Sequence, residues 1–534
     1  MGAMPAYTFE VIESSKRDSA QEYFFELERT LMSKDTQSQS IGDVEEEIYT
    51  KIQELGRRLI QEHIDARGDG HVGEAIRRED GKRLSHKRVG TRHLETLFGE
   101  VEVDRVGYSH RGESSIFPKD TQMSLPKKVY SYPVQQKVCR EAIRSAYDEI
   151  DETLSEYTGA HVPKRQSLEI VKAAAEDFDA FYVERSIQAQ AHVQAQTQAQ
   201  AIAGHGEILV YSGDGKGIPM REEGLREPTR KRAKAQKLST RRSKGEKKHR
   251  KREAMVASVY TIQPHIRTVD DIMADFFGEK TRASSSPPRP EQKRVWASVS
   301  KEKRDVFQEM ADEGQQRTSA VKTAAFLCDG ANILQDLAKT ILKPQCDGTL
   351  ITFVIVLDLL HVLGYLWKAA FAFFAEGDRE AEVWVGTYVR MLLEGKASVV
   401  AGELRSRATQ RGLYGSKREV VEKAANYFLN NKEYMHYERY LELGLPIASG
   451  VIEGTCKHLV NDRFDISGAR WGLEGAEALL KLRSMYQSGD WQDYWTFHMA
   501  CEQERLHPQK QWVPVEDPNA PKFTVIQGGK SSKK

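Results

Sequence analysis

The spacing of apolar residues separates a front part of helices and a hairpin from a rear part in which strands alternate with helices. From Val44, apolar positions recur at Ile48, Ile52, Leu55, Leu59 and Ile64 with Asp43 placed to cap the start, which predicts an amphipathic helix of about six turns. Arg88 to Tyr108 alternates instead and contains FGEVEVDRVGY, with Gly99 able to turn the chain between two short strands, so a small β-hairpin is expected. Tyr130 to about Tyr182 returns to helical spacing. Within it, SAYDEIDETLSEYTGAHVPKRQSLEIVKAAA reads as a helix ending at Gly159, a turn, and a second helix starting near Pro163. That is the arrangement of a helix-turn-helix, with Lys164, Arg165 and Gln166 in the turn that meets base edges and phosphates; a packed helical hairpin fits the same pattern. In the rear part, Glu207–Tyr211 (EILVY) and Met255–Pro264 (MVASVYTIQP) read as strands. Ala324–Leu342 turns from strand to helix at Asp329, and Thr349–Ala370 does so at Asp358. Asp378–Leu443 is helical, and Ile452–Met485 is helical with a break around Asp465–Gly468. This order predicts an α/β unit on a mixed sheet, interrupted by a helical insertion.

These patterns divide the chain into a flexible lead (1–41), a helix and hairpin module (42–129), a helix-turn-helix-like region (130–185) and a Gln/Ala-rich spacer (186–203). The α/β unit follows in two parts (204–376 and 449–508) around the insertion (377–448), with a flexible tail (509–534). A chain of 534 residues has room for two to four domains. With 39% hydrophobic and 29% charged residues and no apolar run of membrane-spanning length, a soluble protein is expected and a membrane partner is not. The nearest approach, Leu350–Leu363, holds Asp358 and His361. The first residues lack the basic-then-apolar order of a secretory signal. Cysteines at 139, 328, 346, 456 and 501 form no C-x-x-C pair, which points to a reducing cytoplasm rather than a zinc site or a disulfide framework.

A net charge of +1 hides a strong asymmetry. Residues 226–252 carry fourteen Lys/Arg against Glu227 and Glu246, so that stretch is +12 and the remainder −11. Arg230, Lys231, Arg232, Arg241 and Arg242 in it are candidate contacts to DNA phosphates; a solvated basic loop has the same composition.

Three acids fall where an α/β sheet presents functional side chains: Asp214 after EILVYSG, Asp329 after AAFLC, and Glu453 opening the helix after PIASGVI. Brought together, three carboxylates can hold two hard divalent cations, Mg²⁺ or Mn²⁺, which suits in-line phosphodiester displacement. Singly each acid is ordinary, since Asp-Gly after a strand is usually a turn. The strings YSGDGKGIPMR, FLCDGA, VLDLLHVLGYLWKAA, IEGTCKHLVNDRFDISGARWGLEGAEALLKLR and HLETLFGEVEVDRVGY resemble the motif series of ISKra-type bacterial insertion-sequence transposases, DDE enzymes with a Mutator/hAT-like layout. The resemblance spans about residues 44–508. It implies an RNase H-like catalytic domain, divalent metal, cleavage at element ends and transfer of a 3′-hydroxyl strand into target DNA. Its acidic triad falls on Asp214, Asp329 and Glu453, and its Asp-x-x-His motif on Asp358 and His361 as supporting residues.

Several assignments stay two-sided. Lys216 could meet a scissile phosphate or simply be an exposed strand-end lysine; Arg463, Arg470 and Trp471 could grip DNA, or Trp471 could anchor the core beside a helix break. A nuclease without strand transfer and a non-catalytic DNA-binding regulator are the rival functions. Because two ends must be paired, a homodimer or higher oligomer is expected, acting in a bacterial cytoplasm at the nucleoid. In an RNase H-like order the second acid follows the fourth strand. Counting Glu207–Tyr211, a short strand near Ile218, and Met255–Thr261 as the first three makes Ala324–Cys328 the fourth and selects Asp329 over Asp358.

Overall fold

The computed structural model describes residues 19–195, 206–235, 240, 250–278, 287–318, 321–346, 348–508 and 512–515. The chain forms two compact units, Met1–Ile170 with Trp495–Lys534, and Val171–Tyr494. Among the described residues no helix is long and apolar enough to cross a membrane.

In the first unit, a helix spans Ala20–Leu31 and a short one Lys34–Gln37, where the apolar pattern led to a flexible lead. The first is started by a capping box: Ser19 Oγ accepts from Glu22 N at 3.0 Å, and Ser19 N donates to the Glu22 carboxylate at 3.1 Å. The long helix runs Ile41–Ala66 and is capped by Ser40, whose hydroxyl accepts from Asp43 N at 3.2 Å; Asp43 is therefore inside the helix and not its cap. Next come β1 (Ile76–Arg78), β2 (Arg83–Leu84), β3 (His86–Thr96) and β4 (Gly99–Ser109). β3 and β4 pair from His86↔Ser109 to Thr96↔Gly99, so the strands are long rather than short and Leu97–Phe98 makes the turn. The Phe98 ring lies so close to the long helix that a Cβ at Gly56 would collide with it. Ile64, Leu94, Val101, Val103 and Leu125 form one core, and Ile76, Leu84, Val106 and Tyr108 another. Helices Ile150–Tyr157 and Lys164–Ala174 stand where the helix-turn-helix was expected. The turn between them is tied to the hairpin tip, Gly159 N donating to Leu97 O at 2.8 Å.

The second unit is built on five strands: β5 (Ile208–Pro219), β6 (Lys251–Ile262), β7 (Glu291–Ser298), β8 (Thr323–Cys328) and, after a small hairpin of β9 (Gln345–Cys346) and β10 (Thr349–Leu350), β11 (Thr352–Leu357). Their order is β11-β8-β5-β6-β7; β8 runs parallel to both β5 and β11, while β6 is antiparallel to β5 and β7 to β6. β8 has a strand on each side and is buried from Ala324 to Cys328, which is why AAFLC is an unbroken apolar run. Helix Lys303–Gln315 lays Phe307 against Phe326, ring centroids 5.5 Å apart.

Two strand expectations change, and the changes offset. β7 lies in a segment for which no strand was expected, and the short strand near Ile218 is the far end of β5, which continues through Gly213, Gly215 and Gly217. β5 persists there because β6 supplies a full ladder, up to Pro219↔Lys251. Thr323–Cys328 is thus the fourth strand of the sheet. After β11 the chain is helical through Leu359–Phe373, Arg379–Leu393, Ala397–Gln410, Gly415–Asn431 and Tyr437–Glu442, then Gly450–Cys456 and Leu473–Ser488. Part of the Gln/Ala spacer extends helix Phe178–Ala195; the remainder lies outside the described residues.

Candidate active site

The parallel register sets three aspartates in line. β5 and β8 pair from Ile208↔Thr323 to Ser212↔Leu327, so the same offset sets Asp214 beside Asp329. β8 and β11 pair through Cys328↔Leu357, and one residue on, Asp329 is followed across by Asp358. Asp214 is within β5 and not at its end, but it stands just past the parallel ladder, where β5 keeps only β6 as a partner. The side chains at the carboxyl ends of parallel strands look into the crevice where such sheets bind ligands.

Glu453 reaches this region through Cys456. Helix Gly450–Cys456 packs on β5 and β6, and the Cys456 thiol donates to Asp214 Oδ2 at 3.5 Å. Glu453 is three residues earlier, hence on the same helical face, and is exposed. Lys216 completes the cluster with an ion pair of 2.7 Å to Asp214. Burial opposes charge on Lys216, but the hydrogen bond to Asp214 and its negative charge prevail and raise the pKa. Burial, and then Asp214, push the Cys456 thiol well up, keeping it a neutral S–H donor.

The strand ends are fixed from the helical insertion by tyrosines. Tyr427 Oη donates to Asp329 O at 2.9 Å, Tyr437 Oη to Leu357 O at 2.9 Å, and Tyr440 Oη to Ile355 O at 3.2 Å. Tyr427 also stacks on Tyr365, centroids 3.9 Å apart. Asp329 Oδ1 accepts from Ala331 N at 3.1 Å, closing the turn out of β8.

Asp358 is committed differently. It is 1% exposed and caps helix Leu359–Phe373 through Leu360 N at 3.0 Å. It also accepts from Ser449 N at 3.1 Å and from the Ser449 hydroxyl. Ser449 O in turn accepts from Glu453 N at 3.0 Å, so the buried carboxylate anchors the segment from which the Glu453 helix starts. His361 is half exposed, its Nε2 3.8 Å from Asp358 Oδ2.

Of the expected DNA contacts, Arg463 is 2% exposed and lies 5.0 Å from the Trp471 ring centroid, inside the fold, whereas Arg470 is exposed. Trp471 is the core anchor of the two readings: it is buried, its backbone bridges alongside Met220 just past β5, with Trp471 N donating to Pro219 O at 3.0 Å, and its indole donates to Phe464 O at 3.2 Å. Arg230, Lys231 and Arg232 lie on helix Glu227–Ala235, with Arg230 and Lys231 both drawn to Glu227 and Arg232 exposed. Arg241 and Arg242 fall outside the described residues. In the first unit Lys164 pairs with Asp148 at 2.5 Å, Arg165 is exposed 3.7 Å from Glu169, and Gln166 is half-buried.

Sequence reasoning missed Cys456, Ser449 and the three tyrosines. Only Cys456 carried a signal, its i+3 spacing from Glu453. The oxygen-only set of Asp214, Asp329 and Glu453 suits a hard divalent cation. Among the described residues no three His, Cys, Asp or Glu side chains form a ready-made metal cage, and Lys216 supplies the positive charge beside Asp214.

No family model matches the chain, and no curated protein does. A solved structure of the Drosophila P element transposase strand transfer complex aligns with 69% of this chain and 83% of that chain, at 8% identity and a TM-score of 0.22, a likeness too slight to decide either fold or function.

Proposed function

We propose that the chain is a metal-dependent DNA transposase of the DDE class, with an RNase H-like catalytic unit in which Asp214, Asp329 and Glu453 bind Mg²⁺ or Mn²⁺. What supports this reading is one juxtaposition: acids in register on the first and fourth strands of a β11-β8-β5-β6-β7 sheet, with a third acid on a helix held to the first strand by Cys456. A bound pair of divalent ions supplies charge neutralisation and activation of the attacking oxygen for in-line displacement. Asp214 and Asp329 aim two carboxylates from adjacent strands, and Glu453 brings a third from above the sheet. Cys456 and Lys216 orient Asp214, and Lys216 is a cation that a phosphate brought to these acids would meet. Asp358 supports the site by anchoring the Glu453 segment through Ser449, and His361 stands beside Asp358. The finer reading is the ISKra-type insertion-sequence class, with a homodimer or higher oligomer pairing two element ends and working at the bacterial nucleoid.

The test uses short duplexes carrying the ends of the encoding element, a supercoiled target, and Mg²⁺ or Mn²⁺. Joined products are expected from the wild-type chain, while Asp214→Ala and Glu453→Ala abolish cleavage and keep end binding, because affinity comes mainly from basic groups elsewhere. Cleavage without joining supports a nuclease instead, and binding without cleavage a regulator. An Asp214→Ala chain that cuts at the wild-type rate removes the catalytic assignment.

A further inference from the structure

Asp214 and Lys216 are two residues apart on β5, so the alternation of the strand puts both side chains on one face. Gly213, Gly215 and Gly217 take the other face, and β6 fills the space they leave: a Cβ at Gly215 would collide with the Glu253 carboxylate, and one at Gly217 would press on Lys251 at 3.0 Å. Glu253 is drawn off on that side by Lys303 at 2.7 Å and is no rival partner for Lys216.

On the acid-bearing face the ammonium is committed to a single oxygen. Lys216 Nζ lies 2.7 Å from Asp214 Oδ2, the same atom that accepts from the Cys456 thiol at 3.5 Å. Oδ2 therefore holds two donors already. The negative charge of Asp329 acts on the same ammonium, yet among the described residues neither Asp329 nor Glu453 forms an ion pair, which leaves Lys216 as the one described cation paired with any of the three acids. The Lys216 and Asp214 side chains are 34% and 21% exposed, so the pair can open to water without disturbing the core. A lysine ammonium is a compact, strongly hydrated charge on a flexible four-carbon stem, which suits it to such a departure. A divalent cation that binds Asp214 through Oδ2 meets a like charge in the place it must take.

We infer that Lys216 is the resident counter-cation of the acidic site: in the metal-free chain it neutralises Asp214, and a divalent ion gains Asp214 Oδ2 only by displacing it. The inference rests on the reading of Asp214, Asp329 and Glu453 as metal ligands and adds a brake to that site. Metal is held weakly while the ammonium stays and firmly once it has left.

The experiment titrates the full chain with Mn²⁺ in the absence of DNA and follows free Mn²⁺ by electron paramagnetic resonance, with Lys216→Met, Lys216→Arg and Asp214→Ala beside wild type. A unit charge about 5 Å from a divalent ion is worth on the order of tenfold in affinity even at the dielectric of water, so Lys216→Met should bind Mn²⁺ about tenfold more tightly. The Cys456 thiol still holds Asp214 in that variant. Lys216→Arg keeps the charge and can fork onto both carboxylate oxygens, so it should bind Mn²⁺ several-fold more weakly than wild type. Because it preserves the ion pair, its affinity decides the matter alone where the methionine chain does not fold. Asp214→Ala should lose the Mn²⁺ binding that Lys216→Met tightens. Thermal unfolding gives a second readout, with Mn²⁺ raising the Tm of Lys216→Met more than that of wild type. Equal or weaker binding by Lys216→Met, or equal or tighter binding by Lys216→Arg, overturns the counter-cation role and leaves the metal site standing. Mn²⁺ binding that survives in Asp214→Ala, or that no chain shows, overturns the metal reading and this inference with it.

Discussion

Replacing Asp358 by alanine should cost far more stability than replacing Asp329 by asparagine, and the pair of variants separates the acid that holds the fold from the acid assigned to chemistry. Asp358 is 1% exposed and receives Leu360 N, Ser449 N and the Ser449 hydroxyl. Alanine removes a helix cap, worth about 1 kcal/mol. It also strands the two Ser449 donors in the interior, at about 1–3 kcal/mol each. The total is on the order of 4 kcal/mol. Asp329 is partly exposed and accepts from Ala331 N at 3.1 Å, an acceptor that asparagine keeps, so its replacement should cost under about 1 kcal/mol. Denaturant unfolding followed by tryptophan fluorescence gives both numbers, provided the slope m is unchanged between variants. Single-turnover cleavage is then compared: none for Asp329→Asn in a stable protein, and a reduced rate for the destabilised Asp358→Ala, whose Glu453 segment has lost its anchor. Ser449→Ala should reproduce part of the loss, about 1–2 kcal/mol. An Asp358→Ala chain with wild-type stability and no cleavage would refute the reasoning and move Asp358 into the chemistry.

Two further outcomes are expected. Glu313 is buried between Arg294 and Arg317; burial alone would raise its pKa, but the two guanidinium groups prevail and hold it at about 2 against an ordinary 4.5. Its stabilising contribution is full above about pH 4.5, on the order of 3 kcal/mol, and is lost as pH falls toward 2. Denaturant unfolding of Glu313→Gln should be flatter than wild type over that window, and parallel curves would count against the triad of charges. In DNA binding, alanines at Lys164, Arg165 and Gln166 should reduce the preference for element ends over random duplex. Glutamines at Arg230, Lys231 and Arg232 should weaken both alike, and identical behaviour of the two sets in a salt-series binding assay would sink that division of labour.

The strands of the second unit were legible where burial demands apolar runs: EILVY, MVASVYTI, AAFLC and TFVIVL each lie in the sheet. β7 escaped because Glu291, Lys293 and Arg294 put three charges in its first four residues; Arg294 there pairs with Glu313, a partner distant in sequence. β5 was cut short because Gly213, Gly215 and Gly217 read as a turn, although cross-strand partners override such local preference. The helix Ala20–Leu31 was readable from Ser19 and Glu22, a capping box overlooked in a polar stretch. The three acids were picked out by the apolar runs before Asp214 and Asp329 and by the helix start before Glu453, although Asp214 proved to lie within its strand, and their support was not legible. Ser449 lies 91 residues from Asp358 and Tyr427 lies 98 from Asp329, separations at which spacing carries no signal.

The tyrosine hydroxyls bear on how this protein could be dissected. Tyr427, Tyr437 and Tyr440 all grip main-chain carbonyls of the sheet, at Asp329, Leu357 and Ile355. An excision of 377–448 joined by a short linker would therefore not yield a minimal catalytic module, since it deletes the donors that satisfy the carboxyl ends of two strands. Grafting works in the opposite sense. Because those bonds are to backbone atoms, they set no demand on the sheet's own side chains, and a shortened scaffold would have to return three hydroxyls to the same carbonyls while keeping helix Gly415–Asn431 packed on helix Leu359–Phe373.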